Sequence, residues 1–190
     1  MKSFLRRLLL MLLFSALTAA VLLMHEAADW PPLQAEAKDR AASGDVLDQM
    51  SQAAIKRSAP FEISEARLNA YLAERCHPVV SPPLDRWVQA APPALDLRDR
   101  EALLRLSWRW WAGWSTDLTV RLSLEREGDT FVIRVVDGAY GRLQVPRGLL
   151  APMRSTLESL GIAFQAEIQA LFKMNQIRIQ QDRLVLDPRF

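Results

Sequence analysis

Apolar residues recur at helical spacing between Pro146 and Met174, and this stripe constrains the fold more than any other feature of the chain. Its members are Leu149, Met153, Leu157, Leu160, Phe164, Ile168 and Leu171. Steps of three and four residues keep these side chains on one face of an α-helix. Pro146 suits the first helical turn because its missing N–H would be unpaired there. We therefore predict one long amphipathic helix that needs a broad apolar surface to pack against.

The segments on both sides of the stripe can supply that surface, because they alternate with the period of two that is typical of β-strands. Alternation runs through residues 102–111, 118–125 and 131–135, and Asp137-Gly138 marks a break. After the stripe, Ile177, Ile179, Leu184 and Leu186 flank a turn at Gln181-Asp182. The predicted fold class is α+β. It comprises an antiparallel β-meander packed against one long amphipathic helix, with a C-terminal β-hairpin that could extend the same sheet.

The apolar pattern also suggests how the strands pair. Turns in the two glycine-containing loops would pair Leu122 with Ile133 and Leu106 with Val120, which keeps the apolar residues on one face. The same registers line up Arg105, Arg121 and Arg134 on the opposite face. Like charges directly opposite one another are destabilising. We expect either interleaved acidic partners or a contact between this row and an anion or a partner protein.

A shorter helix is predicted ahead of these strands. Ser64 follows a short extended segment and offers a hydroxyl as an N-cap, and Glu65 complements the positive end of the helix. The helix should run from Glu65 to Arg75. Asn69 lies in its middle, where asparagine is unfavourable. Either a side-chain hydrogen bond to the sheet backbone or simple exposure would account for it.

The N-terminus combines a basic flank, with Lys2, Arg6 and Arg7, and an apolar run from Leu8 to Met24. With the residues just before it, the run approaches the about 20 residues that cross a bilayer. No good Ala-x-Ala cleavage site follows it, so we expect a retained anchor, and a cleaved signal peptide is the alternative. The basic flank predicts an N-terminus in the cytoplasm and a domain outside the cytoplasmic (inner) membrane.

Net charge is misleading until the anchor is removed from it. The whole chain carries +2, but without the three basic residues of the anchor 21 basic residues face 22 acidic ones. The remainder has no basic excess of the kind that nucleic-acid binding requires. The single cysteine, Cys76, excludes an internal disulfide framework.

Catalytic patterns are nearly absent. Cys76-His77 could suggest a nucleophile and its base, but adjacent residues rarely point at each other. Two histidines and one cysteine make no zinc site, and no glycine-rich phosphate loop occurs. We predict no enzyme activity, no metal and no cofactor.

Four tryptophans, Trp108, Trp110, Trp111 and Trp114, crowd around one predicted hairpin tip. They could lie at a bilayer interface, stack on sugars or line the mouth of an apolar cavity. Alternatively they pack in the core, which is the interpretation we favour for Trp108. For Trp111 and Trp114 both interpretations stay open.

The order of motifs resembles that of a known group of proteins. Ser64-Glu65, Leu68-Asn69 and Leu72, then Leu143 to Pro146 entering a helix, and a closing hairpin are similar to small, single-span bacterial membrane-anchored proteins of unknown function. Some of these look like relatives of tubular lipid-binding domains, in which a long helix lies on a curved sheet. The resemblance implies handling of a lipid or another hydrophobic ligand, and no catalytic residues.

These observations divide the chain into an anchor (1–24), a polar stalk or linker that is predicted to be helical (25–59) and an α+β domain (60–190). We predict that the domain binds a lipid or another apolar ligand between the sheet and the helix. The predicted contacts are Leu106, Trp108, Val120, Leu122, Met153, Leu157 and Phe164. The alternative is a non-enzymatic interaction module that recruits a partner protein of the cell envelope.

Overall fold

The computed structural model describes residues 2–26, 46–56, 59–76, 80, 83–128, 130–146, 148, 150 and 154–189. The helices are α1 (Lys2–His25), α2 (Val46–Lys56), α3 (Glu65–Arg75), α4 (Arg154–Ala163) and α5 (Gln165–Phe172), with a 3-10 turn at Leu84–Arg86. The strands are β1 (Phe61–Ser64), β2 (Val88–Ala90), β3 (Ala94–Arg98), β4 (Glu101–Trp110), β5 (Ser115–Glu127), β6 (Thr130–Tyr140), β7 (Leu143–Val145), β8 (Gln176–Gln180) and β9 (Arg183–Asp187).

Within these residues the strands form two antiparallel sheets. The larger sheet has the order β2-β4-β5-β6-β7, and β3 also pairs with β4. The smaller sheet has the order β1-β9-β8. The predicted α+β class, the meander and the C-terminal hairpin are confirmed, but the hairpin pairs with β1 in a sheet of its own and does not extend the larger one.

Both predicted registers of the meander are wrong by two residues, although the predicted faces are correct. Leu122 pairs with Val135, and Leu106 pairs with Leu118. The first turn is centred at Ala112 and not at Gly113, and the second lies between Glu127 and Thr130, one residue beyond its predicted position. Moving a turn by one residue changes each pairing by two, which preserves the alternation between faces.

Strand β6 runs through Asp137-Gly138, where the sequence predicted a break. A register shift between Arg121 and Leu122 of β5 absorbs one residue at this point. A Cβ on Gly138 would lie 2.8 Å from the carbonyl oxygen of Thr119 and 3.0 Å from the methyl groups of Leu150. Glycine is therefore needed here for close packing and does not end the strand.

Helix α3 covers the outer edge of β3, which would otherwise expose unpaired backbone groups. Asn69 donates from Nδ2 to the Leu95 carbonyl at 2.8 Å and accepts the Leu95 N–H at 2.7 Å. Two residues along the strand, the Leu97 N–H donates to Glu65 Oε2 at 2.7 Å. The first explanation offered for Asn69, a bond to the sheet backbone, is confirmed, as are the helix bounds and the Ser64 cap.

The apolar stripe forms two helices and not the single long helix predicted from it. Phe164 separates α4 from α5 with φ −105° and ψ 24°. The i to i−4 hydrogen bonds continue across it, from Phe164 N–H to the Leu160 carbonyl and from Ile168 N–H to the Phe164 carbonyl, both at 2.9 Å. Phe164 thus keeps its own two hydrogen bonds while the helix is interrupted at this residue, and the two halves of the stripe pack on different surfaces.

The two halves pack on different core clusters. The second core cluster consists of Leu106, Leu118, Val120, Val145 and Leu150, and Leu157 and Leu160 of α4 pack against it. The first core cluster consists of Val46, Met50, Ile63, Tyr71, Leu97, Ala102, Ala170, Met174, Leu184 and Leu186. Fully burying one large aliphatic side chain contributes roughly 1.5–3 kcal/mol, so each half of the stripe has its own stabilising surface.

Helix α2 belongs to the first core cluster, although its residues fall in the segment predicted as a stalk. Val46 and Met50 are almost completely buried. Val46, Leu47, Met50 and Ala54 recur at helical spacing, and this narrow apolar stripe is a packing face of the domain. Residues 27–45, 57 and 58 of that segment lie outside the described residues.

Replacing Asn69 by alanine should lower the free energy of unfolding by about 1–3 kcal/mol, because the Leu95 N–H and carbonyl would both lose their partner. Alanine is the better helix former, so propensity alone predicts the opposite sign. Chemical denaturation of the full-length chain measures the difference. Gln169→Ala, at an exposed position of α5, is the control and should change stability by less than about 0.5 kcal/mol. Equal effects of the two substitutions would contradict the edge-covering role of Asn69.

Candidate functional site

An apolar cavity of about 810 Å³ is lined by the larger sheet on one side and by α4 and α5 on the other. The sheet contributes Leu104, Leu122, Leu124, Ile133 and Val135. The helices contribute Leu157, Leu160, Gly161, Phe164, Ile168 and Leu171. Small-molecule sites typically measure roughly 300–1,000 Å³, so the volume suits a ligand.

The cavity reaches beyond the helix–sheet layer into the first core cluster. Side chains from α2, α3 and the smaller sheet complete its wall, among them Met50, Leu68 and Ile179. Glu158 and Ile133 line it too, and both are exposed, so the cavity meets solvent at that point. Helix α4 packs on the second core cluster and α5 on the first, and the cavity lies between these two helices and the larger sheet.

Three of the residues predicted to contact a ligand line the cavity: Leu122, Leu157 and Phe164. The other described ones pack elsewhere. Leu106 and Val120 are buried in the second core cluster, and Trp108 is half-buried against it. Met153 lies outside the described residues. The sequence could not separate cavity wall from core on these apolar faces. Ligand contact by any of these residues stays a prediction.

The lining contains few polar side chains, namely Tyr71, Ser123, Glu158 and Glu167. Glu167 is buried, with 7% of its surface exposed. The Tyr71 hydroxyl donates to its Oε1 at 2.5 Å, and Arg75 Nε lies 3.5 Å from the same oxygen. Helix α3 thus supplies one hydrogen bond and one ion pair to the same oxygen of a carboxylate carried by α5.

The Tyr71 hydroxyl stays protonated in this setting. Its pKa is raised well above the usual range, first because burial disfavours the phenolate and second because Glu167 accepts its proton in a hydrogen bond. A neutral phenol remains a donor across the physiological pH range. The Tyr71–Glu167 pair is therefore a fixed polar contact within an otherwise apolar wall.

Sequence reasoning missed Glu167, but a signal for it existed. Glu167 lies three residues after Phe164 and four before Leu171, which are steps that put it on the apolar face. A carboxylate on such a face is uncommon unless it is paired or functional. The contact with Tyr71 could not be predicted, because the sequence does not show that α3 and α5 meet.

The three outer-face arginines do not stand directly opposite one another as predicted. Arg121 faces Leu103 and Asp137, and Arg105 faces Thr119. Each has acidic neighbours. The contacts are Arg105–Asp117 at 3.1 Å, Arg121–Asp137 at 3.2 Å, Arg121–Glu101 at 3.5 Å, Arg134–Glu125 at 2.9 Å and a further contact between Arg134 and Glu127. The positive charge of this face is thus interleaved with negative charge. Whether these arginines contact an anion or a partner stays a prediction.

The C-terminal end of α1 contacts the domain at one corner of the larger sheet. The Arg142 N–H donates to the Leu23 carbonyl at 3.0 Å, and Arg142 Nη1 lies 2.7 Å from Glu26 Oε1. His25 Nδ1 lies 3.1 Å from Thr116 Oγ1. Phe4–His25 is long and apolar enough to cross a membrane. This corner therefore lies where an N-terminal membrane span would end.

Exposed tryptophans surround the same corner. Trp114, 62% exposed, has its ring centroid 5.5 Å from that of His25. Trp111, 73% exposed, lies edge-on to Trp87 with 5.6 Å between ring centroids. Their exposure distinguishes them from Trp108. Of the two interpretations left open for Trp111 and Trp114, the structure therefore favours a position on the surface over packing in the core.

The described residues contain no group of histidine, cysteine and carboxylate side chains that could hold a metal ion. Comparison with protein-family models and with curated proteins finds no match to this chain. The resemblance to tubular lipid-binding domains therefore stays an expectation.

Replacing Gly141 by alanine should destabilise the chain and loosen the end of α1. Its φ is +54°, and a Cβ would lie within 2.5–2.6 Å of the carbonyl oxygens of Leu23, Met24 and Glu26. Left-handed backbone alone costs an alanine about 1–2 kcal/mol. We expect a larger loss for Gly141→Ala, together with faster hydrogen exchange at the Arg142 amide.

Gly128→Ala is the matched control, because Gly128 has a φ of +61° but no atom within 4 Å of an added Cβ. It should lose only the backbone contribution and leave exchange at Arg142 unchanged. Thermal melting and hydrogen exchange of the full-length chain measure both effects. Equal losses for the two variants would mean that α1 does not contact Gly141.

Proposed function

We propose that this protein is a membrane-anchored, non-enzymatic domain that binds a lipid or another apolar ligand in the cavity between sheet and helices. The cavity is the observation that carries the proposal. An apolar hollow of about 810 Å³ leaves its wall without the close packing that normally stabilises protein interiors. A hydrophobic ligand restores those contacts and gains the free energy of leaving water.

In this proposal α1 is a retained anchor in the cytoplasmic membrane, and the domain lies outside the cytoplasm. Support comes from its length and apolarity, from the basic residues at its N-terminal end, and from the contacts that continue it into the domain at Arg142 and Thr116. A cleaved signal peptide would leave this corner of the sheet without those contacts.

The exposed tryptophans then lie at the level of the lipid headgroups. Trp111 and Trp114 flank the end of the apolar helix, and tryptophan is enriched at such interfaces because its ring is apolar and its N–H is polar. The domain would stand at the bilayer surface, which is where an apolar ligand leaves or enters a membrane.

Photolabelling in proteoliposomes tests the proposal. The probe is methyl hexadecanoate with a diazirine in its chain, which carries no charge and no hydrogen-bond donor. After irradiation and peptide mapping, we expect label in α1, from probe in the bilayer, and label in β5, β6 and α4–α5, from probe in the cavity. Label in α1 without label in the domain would contradict ligand binding, and a domain labelled without α1 would contradict the anchor.

Gly161→Phe should remove the domain label and leave the α1 label intact. Gly161 lines the cavity, and an added Cβ meets no atom within 4 Å, so the ring has room to occupy ligand space. Phenylalanine is also a better helix former than glycine, so the fold should survive. Ala163→Phe, at an exposed position of the same helix, is the control and should keep both labels. Undiminished domain label in Gly161→Phe would move the ligand out of this cavity.

A further inference from the structure

The carboxylate of Glu167 has one oxygen that the protein satisfies and one that it does not. The Tyr71 hydroxyl donates to Oε1, and Arg75 Nε forms an ion pair with the same oxygen. Among the groups that the structure describes, none donates a hydrogen bond to Oε2, which is itself buried. A buried carboxylate oxygen without a donor is strongly unfavourable, so native structures rarely keep one without a reason.

Glu167 is also part of the cavity wall. The other carboxylate of the lining, Glu158, is exposed to solvent. Glu167 is therefore the buried carboxylate of the described lining, and the remaining wall is almost wholly apolar. Ligand pockets commonly combine such a wall with a few placed polar groups that orient the ligand.

We propose that Glu167 is a binding residue that selects ligands with an apolar chain and a hydrogen-bond donor at one end, a hydroxyl or a protonated amine. The donor bonds to Oε2, and the chain occupies the apolar part of the cavity. Tyr71 and Arg75 are positioning residues, because they hold Oε1 and so fix the carboxylate plane. This inference rests on the proposed function, and it adds which headgroup the cavity accepts.

The same geometry disfavours fatty acids. An ionised carboxylate has acceptors only, so it would bring a second negative charge against Oε2 and leave that oxygen unpaired. The selectivity thus comes from a repulsive element as well as an attractive one. A hydroxyl gains the hydrogen bond, and an amine gains the hydrogen bond together with charge attraction.

The test compares hexadecyl probes that share one chain with a diazirine and differ in the headgroup, which is an alcohol, an amine or a carboxylic acid. Full-length protein in proteoliposomes is irradiated at neutral pH. Label in the cavity peptides is divided by label in α1, which corrects for partitioning of each probe into the bilayer. We expect the corrected label to be about tenfold higher for alcohol or amine than for acid, as a hydrogen bond to a charged group implies.

Glu167→Gln should abolish this preference, because the amide replaces the free acceptor with a donor while keeping the side-chain shape. Glu62→Gln makes the same chemical change at an exposed position of β1 outside the cavity lining and should leave the preference intact. Comparing the corrected label of the alcohol probe with that of the amine probe shows which of the two headgroups the cavity prefers. If Glu167→Gln does not fold, the comparison of the three headgroup probes in the wild-type protein still tests the headgroup preference.

Equal labelling by all three probes in the wild-type protein, or a preference for the acid, would overturn the role of Glu167. The methyl ester probe separates that result from a failure of the proposed function. If the ester labels the cavity while the headgroup series shows no preference, the cavity binds apolar ligands and only the headgroup inference fails. If neither the ester nor any headgroup probe labels the domain, ligand binding itself is wrong.

Discussion

The packing of α4 and α5 on two different core clusters is the constraint on which the cavity depends. One half of the stripe is held by the second core cluster and the other half by the first. Aligning α4 and α5 into one straight helix would uncover large aliphatic side chains of one half, and burying each such side chain contributes roughly 1.5–3 kcal/mol. The cavity is what remains between two well-packed regions.

Two further features of the molecule bear on what the cavity could bind: the corner where α1 meets the larger sheet, and a buried polar contact in the cavity wall. At one corner of the sheet, α1 ends among exposed tryptophans and contacts Arg142 and Thr116. In the cavity wall, Tyr71 and Glu167 form a buried polar contact between α3 and α5. An apolar chain with a polar end would match a wall of this kind. The proposed function thus depends on packing for the cavity and on one carboxylate for its selectivity.

Hydrophobic periodicity predicted the elements and their faces because burial acts on alternate residues of a strand and on every third or fourth residue of a helix. It could not predict registers, since a shift of two residues leaves the buried face unchanged. Leu122 and Phe164 were accordingly found in the cavity wall although both registers of the meander were wrong. The interruption of the helix at Phe164 accompanies packing on two separate core clusters, and no local pattern reveals those.

The features that sequence reasoning missed are contacts between distant segments. The stripe in α2 was visible, but burial of Val46 and Met50 depends on a groove formed by elements further along the chain. Asn69 was identified as anomalous for a helix interior, and its pairing with β3 followed one of the two explanations considered. Glu167 lies at a position of the apolar stripe, and a carboxylate at such a position was the signal that the sequence offered.

Native mass spectrometry of the full-length protein, released from detergent micelles after purification from membranes, tests the central claim most directly. If the cavity binds an apolar ligand, we expect a population heavier than the bare chain by the mass of one lipid-like molecule. That molecule should resist collision energies that strip detergent, because it is held within the cavity. A spectrum that shows only the bare chain under conditions that keep the domain folded would contradict the binding of an apolar ligand in the cavity.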